Sequence, residues 1–157
     1  MYSIGDKIVY PMHGAGIIDR IEEKTILGED RQYYVLRVSS NDMKVMIPVD
    51  KCEEVGIRNI IEEDEVEGVM EVLSAPSTEM SDNWNRRNRE NMERLRTGDI
   101  KEVAGVVRNL LRVERTKPLS TGEKKMLTNA RQILTSELVL VLGCPETDIH
   151  DMIEKAV

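Results

Sequence analysis

A single tryptophan stands beside a cluster of arginines in this sequence of 157 residues, which contains no phenylalanine. Trp84 is followed by Arg86, Arg87 and Arg89, and the segment 84–131 holds 13 lysines and arginines against 6 acidic residues. That local charge of +7 lies inside a chain whose net charge is −7. Basic side chains neutralise phosphates, and a flat apolar ring can insert between base steps in a minor groove. The segment therefore has the chemistry of a nucleic-acid contact.

Two interpretations of Trp84 are open from the sequence. Tryptophan is highly buried on average, which favours a place in a hydrophobic core. The apolar residues of the same predicted helix are Met92 and Leu95, however, and the positions between them and the tryptophan include Asn88 and Asn91. Because the ring stands two turns ahead of this apolar stripe, among polar and basic neighbours, an exposed ring is the other interpretation.

Two predicted helices carry cations in their first turns, where the helix dipole disfavours positive charge. The arginines open the first helix, and Lys124 and Lys125 follow Ser120, the predicted N-cap of the second. A solvated helix face is the ordinary explanation, but exposed backbone N–H groups and adjacent cations attract the same phosphate. Lys124, Thr128 and Arg131 have the spacing of one helix face. The candidate DNA-binding residues are Trp84, Arg86, Arg87, Arg89, Lys124, Lys125 and Arg131.

The remaining reactive residues do not support an enzyme. His13 and His150 have no cysteine or carboxylate at a metal-ligand spacing, and no glycine-rich phosphate loop is present. Cys52 and Cys144 form no metal or redox motif, which favours free thiols in a reducing cytoplasm. No apolar run approaches the roughly 20 residues of a membrane span, and the N-terminus lacks a signal-peptide layout. We expect a soluble intracellular protein with no metal, other cofactor or small-molecule substrate.

The first 60 residues have the pattern of short strands separated by turns. Apolar and β-branched residues are concentrated at 6–10, 17–21, 33–38 and 43–47. The segment 26–30 predicts a hairpin turn, and the whole pattern predicts a small antiparallel barrel or sheet. Pro48 directly after Met43–Ile47 suits an edge strand, where its missing N–H costs no ladder hydrogen bond. An interior strand that ends at the proline is equally compatible with the sequence.

Helical periodicity begins at Glu62 and continues towards the C-terminus. Asp99 and Ser120 are each followed by a glutamate three residues later, the capping-box pattern of a helix start, and Gly98 and Gly143 suit helix ends. Apolar stripes predict helices within 62–73, 81–97, 99–117, 120–143 and 145–153. We therefore predict an α+β fold, with a β domain at 1–60 and a compact all-helical domain at 61–157.

Several motifs together resemble one bacterial family. In the first half they are GDKIVYPMHGAGII, GEDRQYYVLRV and MIPV, and in the second half NWNRR, TGD, LSTGEKKML and ARQIL. The first set resembles the polymerase-interacting domain of the CarD/CdnL transcription regulators, which transcription-repair coupling factor shares. The second set resembles the helical domain of the CarD/CdnL family itself. The resemblance covers essentially the whole chain.

The resemblance implies a Tudor/SH3-like barrel that binds the RNA polymerase β subunit, at its lobe or protrusion, by strand addition. The matching polymerase-binding positions are Lys24, Ile26 and Met46, and relatives often carry a basic residue in place of Met46. It also implies that the helical domain contacts promoter DNA without sequence specificity. Trp84 matches the tryptophan wedged into the minor groove at the upstream edge of the bubble. Arg86, Arg87, Arg89 and Lys124 match basic DNA contacts of the family.

The function implied is transcription regulation by a monomer that stabilises the open promoter complex. Tethering to the polymerase raises the local concentration of a weak DNA binder. A wedge favours the melted state because a regular duplex must first be unstacked to admit the ring. The alternative is a protein–protein adaptor whose two domains dock different proteins, with Trp84 buried and no direct DNA contact.

Overall fold

A computed structural model describes all residues from 1 to 157 and contains one sheet and five α-helices. The strands are β1 (Lys7–Tyr10), β2 (Gly14–Ile26), β3 (Glu29–Val38), β4 (Lys44–Pro48) and β5 (Arg58–Asn59). They pair antiparallel in the order β4-β3-β2-β1-β5. The predicted layout, a small antiparallel β domain followed by helices, is confirmed. Because β4 and β5 do not pair with each other, the sheet is open and does not close into a barrel.

The β2–β3 hairpin is much longer than the rest of the sheet. Its turn consists of Leu27 and Gly28, whose φ angles are 52° and 78°. Two residues with positive φ make the tight turn that matches the twist of paired strands, so the hairpin predicted at 26–30 is confirmed. The far half of the hairpin has no third strand beside it, and Leu27 at its tip is fully exposed.

The helices are α1 (Val66–Ser74), α2 (Trp84–Arg96), α3 (Ile100–Thr116), α4 (Thr121–Leu142) and α5 (Glu146–Ala156). Short 3-10 turns occupy Val49–Lys51 and Glu63–Glu65. The second helix was predicted to begin near Ser81, but it begins at Trp84. The reason is that the Asn83 side chain accepts a hydrogen bond from the Arg86 backbone N–H at 3.0 Å, which makes Asn83 the N-cap. None of the helices combines the length and apolarity that a membrane crossing requires.

The strands and the helices each build a separate hydrophobic cluster. In the helical part α3 is central and is buried on nearly all sides, including Arg108 and Asn109, which the apolar stripe had left outside. Both side chains are satisfied, since Arg108 donates to the Val72 carbonyl at 2.8 Å and Asn109 donates to Thr78 Oγ1 at 2.8 Å. The sheet meets the helices where the start of β2 packs against α4.

Candidate nucleic-acid interface

Trp84 is the first residue of α2, and 51% of its surface is exposed. It does not belong to the hydrophobic cluster of the helices. The other exposed large apolar residues of the chain all lie in the first 43 residues. The interpretation of Trp84 as a core residue is therefore wrong, because the helical core forms without it.

The indole lies over the N-terminus of α4. Its Nε1–H donates to Ser120 Oγ at 3.4 Å, and a side-chain carbon at Gly122 would lie 3.5 Å from the ring atom Cζ2. The same Ser120 oxygen caps α4 by accepting the Glu123 backbone N–H at 3.2 Å. One hydroxyl thus accepts from both groups, which is within the capacity of its two lone pairs. The contact orients the ring while leaving half of its surface open.

Arg87 and Glu123 join the first turns of α2 and α4. Arg87 Nε lies 2.7 Å from Glu123 Oε2, and the two side chains are only 17% and 10% exposed. Glu123 also belongs to the first turn of α4, where a carboxylate is favoured by the helix dipole. The ion pair with Glu123 explains why a cation, Arg87, is tolerated in the first turns of α2, where the helix dipole disfavours positive charge. Arg87 therefore joins α2 to α4. The N-termini of α2 and α4 are therefore connected by two side-chain contacts, Trp84 to Ser120 and Arg87 to Glu123.

Four of the predicted DNA-binding cations remain open to solvent around this point. Arg86 makes one exposed pair with Glu90 on its own helix, at 2.9 Å. Arg89, Lys124 and Lys125 are exposed and have no intramolecular ion pair. An exposed pair such as that of Arg86 contributes little and can be exchanged for a phosphate. These four side chains are the ones available to a polyanion.

Arg131 differs from the other candidates. Lys124, Thr128 and Arg131 were predicted to share one face of α4, and all three line one cavity of about 650 Å³. Arg131 is nevertheless held by Glu154 at 2.7 Å and donates to the His150 carbonyl at 3.4 Å. Its hydrogen bond is the main reason that the pKa of Glu154 is lowered. The geometry assigns Arg131 first to the packing of α4 against α5.

The three predicted polymerase-binding residues lie on one face of the sheet. In the strand register Ile26 is opposite Glu29, Lys24 is opposite Arg31, and Met46 is opposite Val35. These partners occupy alternate positions of β3 and so share a face. Lys24 and Ile26 are exposed and Met46 is half-buried on β4, which is an edge strand of the sheet.

The backbone of β4 also offers free hydrogen-bonding groups along this edge. The Val38 N–H donates to the Met43 carbonyl at 2.9 Å. Inward and outward groups alternate along an antiparallel ladder, so the N–H of Met46 points away from β3. Pro48 falls in the same outward register, where its missing N–H removes no bond to β3.

Two family models match separate parts of the chain. Residues 2–61 match the CarD-like/TRCF RID domain, and residues 68–154 match the CarD C-terminal domain. The chain is also 44% identical over 149 residues to "Putative transcription factor YdeB" of Bacillus subtilis (strain 168), covering 95% of this chain and 97% of the relative. The chain belongs to the CarD-like family. The family predicted from the sequence motifs is thus confirmed. It is a family of transcription factors and not of enzymes, which confirms that prediction as well.

Much of the positive charge in the CarD C-terminal region is committed to its own fold. Arg94 pairs with Glu102 at 2.8 Å, and Arg108, Arg112 and Arg115 all donate to backbone carbonyl groups. Such bonds to helix C-terminal carbonyls stabilise those ends. The net charge of +7 between 84 and 131 therefore remains, but several of its guanidinium groups are fixed by intramolecular bonds and are not free to move onto a phosphate.

Three residues at or near the candidate sites could not be singled out from the sequence. Ser120 and Glu123 were recognised as a cap but not as the partners of Trp84 and Arg87. Leu27, fully exposed at the hairpin tip, was recognised only as part of a turn. His13 lies with its ring centre 4.2 Å from that of Tyr10, and no group of histidine, cysteine or acidic side chains in the chain could hold a metal ion.

Lys124 and Arg131 should differ in a salt titration of duplex binding. Log affinity falls as log salt concentration rises, and we expect Lys124→Ala to make this negative slope shallower by about 0.9, the value of one phosphate contact. Arg131→Ala should change the slope much less, because its guanidinium is held by Glu154. Lys7→Ala, an exposed lysine of β1, is the control for loss of one charge far from the site. Equal slopes for all three variants would contradict the assignment of Lys124.

Proposed function

We propose that this CarD-like transcription factor binds the β subunit of RNA polymerase through residues 1–60 and promoter DNA through residues 61–157. Strand addition to β4 tethers the protein at the β lobe or protrusion. Trp84 then enters the minor groove at the upstream edge of the bubble and stabilises the open promoter complex. In this proposal the protein acts as a monomer in the cytoplasm, where RNA polymerase brings it to the nucleoid. It makes no sequence-specific base contacts.

The observation that carries the proposal is the exposed indole above two adjacent helix N-termini. Trp84 is the one large apolar side chain of the helical part that is exposed, and the exposed ring stands among basic residues. The N-terminal N–H groups of α2 and α4 favour anions. Arg86 and Arg89 lie in the first two turns of α2, and Lys124 and Lys125 lie in the first two turns of α4, all of them exposed. A ring among phosphate-binding groups suits a distorted groove better than a protein surface. The alternative, a protein–protein adaptor without direct DNA contact, required a buried Trp84. It loses its main support because the ring is half exposed.

The polymerase side of the proposal rests on an edge strand with outward backbone groups. Strand addition takes its affinity from main-chain hydrogen bonds and its specificity from alternate side chains. Lys24, Ile26 and Met46 share one face and supply those side chains. Since Met46 stands where relatives often carry a basic residue, this contact depends here more on apolar packing and backbone pairing than on charge.

The mechanism is a difference in affinity between two promoter states. A protein that bound closed and open complexes equally would shift nothing. Unstacking a base step costs a few kcal/mol in a regular duplex, and this cost is already met at the edge of a bubble. The indole therefore binds the open complex better, and the tether keeps it near its site.

A permanganate footprint of promoter DNA tests the function directly. With polymerase and a promoter that melts poorly, we expect the wild-type chain to raise the reactivity of bubble thymines. The protein without polymerase should leave the same DNA unreactive, because it stabilises a bubble but does not open one. A footprint unchanged by the protein, on promoters that form unstable open complexes, would contradict the proposal.

A further inference from the structure

Arg58 of β5 lies where the sheet meets the helices and binds two of them. Its Nη1 and Nη2 atoms donate to the carboxylate of Glu137 on α4, at 2.8 and 2.7 Å. Its Nε and Nη2 atoms donate to the carbonyl of Gly98, between α2 and α3, at 2.9 and 2.7 Å. A planar guanidinium that chelates a carboxylate fixes direction as well as distance.

Glu137 is a charged residue in the interior of the protein. It is 2% exposed, and its Oε2 atom also accepts the backbone N–H of Ile61 at 2.9 Å. The Arg58 side chain is 30% exposed, so only the carboxylate is fully removed from water. Its desolvation offsets much of the attraction between the charges, so the pair contributes more to a unique arrangement than to stability. The pair lies at the junction of the two hydrophobic clusters. We therefore expect it to determine how the two clusters are arranged relative to each other.

Ser136, the neighbour of Glu137 on α4, forms a second set of hydrogen bonds between α4 and the β domain. Its Oγ accepts the Ala15 N–H at 2.8 Å, and its carbonyl accepts the Ser39 hydroxyl at 2.6 Å. Gly14 is so close that a side-chain carbon there would lie 2.8 Å from Ser136 Oγ. We call these contacts the polar seam, which consists of Gly14, Ala15, Ser39, Arg58, Gly98, Ser136 and Glu137.

The polar seam connects the two candidate interfaces of the protein. Gly98 follows α2, the helix that begins with Trp84, and Glu137 lies on α4, the helix that begins beside Ser120. Arg58 belongs to the same sheet as β4. Together with the Ser136 contacts, the Arg58 guanidinium therefore ties both helices of the candidate nucleic-acid interface to the sheet whose opposite edge, β4, is proposed to bind polymerase.

We propose that Arg58 and Glu137 are positioning residues that hold Trp84 at a set distance and direction from the β4 edge. Polymerase binding then delivers the indole to the bubble without a further search. The inference rests on the proposed function and adds that the connection between the interfaces must be rigid. A flexible connection would lower the effective concentration of the ring at its site, although each interface would still bind its own partner.

The test uses the full chain with both charges replaced, Arg58→Met/Glu137→Met. Apolar side chains of similar size in place of a buried ion pair are often neutral for stability, whereas a single replacement leaves a buried charge unpaired. Glu137→Gln is the second variant. It loses the charge but keeps an acceptor, and the remaining Arg58 charge is not fully buried because its side chain is 30% exposed. The matched control is Lys51→Met/Glu54→Met, an exposed pair in the first part of the chain with a distance of 3.2 Å.

Three measurements separate positioning from folding. Spin labels at Leu27→Cys and Lys155→Cys, in a background without Cys52 and Cys144, should give a broader distance distribution when the seam is broken. Affinities for the isolated β subunit and for free duplex should stay within about twofold of the parent. The lifetime of the open promoter complex should fall by about tenfold as the effective concentration of the ring drops. The control pair should change none of the three.

Several results would overturn the inference. One is a lifetime that stays unchanged in both seam variants while Trp84→Ala shortens it, which leaves the proposed function intact. A distance distribution that stays narrow, or a loss of β-subunit affinity equal to the loss of lifetime, would overturn it too. If Trp84→Ala also had no effect on lifetime, the proposed function itself would fail, and the inference with it.

Discussion

Replacing Trp84 with alanine is expected to shorten the lifetime of the open promoter complex by about tenfold. Stacking of an aromatic ring on a base is worth about 1–3 kcal/mol, and about 1.4 kcal/mol corresponds to tenfold. The free energy of unfolding should change by only about 1 kcal/mol, because the ring is half exposed and makes one long hydrogen bond. A core tryptophan would cost about 3–5 kcal/mol. Competitor challenge of open complexes and thermal melting measure the two quantities.

Trp84→Phe is the matched control for the ring. It keeps a flat apolar face, but the phenyl ring is smaller than the indole and lacks the Nε1–H that donates to Ser120. We expect most of the open-complex lifetime to survive, with a partial loss because the ring is less firmly oriented. Affinity for the β subunit should be unchanged in both variants, since that contact is proposed for the other domain. A folded Trp84→Ala protein with the lifetime of the wild type would rule out the wedge.

Replacing Met46 with proline is expected to abolish most of the binding to the β subunit. The backbone N–H of Met46 points away from β3, so its removal breaks no bond within the sheet. An added strand would lose that donor and would also meet the proline ring. A hydrogen bond contributes about 0.5–1.5 kcal/mol net, and the clash adds to it, so we expect affinity to fall by at least about tenfold. Titration of labelled β subunit measures the effect.

Met46→Ala separates the backbone of this contact from its side chain. Alanine removes the thioether but retains the N–H, so binding should weaken less than with proline. Circular dichroism and duplex binding should be close to wild type for both variants, because the helical part is untouched. If alanine and proline reduced affinity equally, side-chain packing would account for the contact and strand addition would be wrong.

The local sequence pattern was sufficient to predict most helices and strands and to identify the family. The Leu27–Gly28 turn, the caps at Asp99 and Ser120, and the Gly143 helix end all follow from backbone preferences of a few neighbouring residues. These preferences act within one turn of chain, so sequence reasoning can find them. The helix start that was placed wrongly, Ser81 instead of Trp84, shows the limit. Which of several polar residues becomes the cap depends on the geometry that the chain finally adopts.

Ion pairs between residues that are distant in the sequence could not be predicted from local patterns. The basic side chains between 84 and 131 look alike in the sequence, yet Arg87 meets Glu123, Arg131 meets Glu154, and Lys124 meets neither. A guanidinium can satisfy a buried carboxylate or a phosphate with the same atoms. Only the fold decides which carboxylates come within reach. It leaves Arg89, Lys124 and Lys125 without an ion pair and Arg86 with only an exposed one.

The amino-acid sequence by itself determined the α+β class, the family and the location of a basic, tryptophan-bearing segment, because each depends on residue type and spacing. The tertiary structure decided that Trp84 is exposed, since the helical core closes around α3 without it. It also decided that Lys24, Ile26 and Met46 share a face, which depends on strand register. The pairing of Arg58 with Glu137, 79 positions apart, arises only when the sheet packs against α4. Long-range packing brings these groups together, and no local preference encodes it.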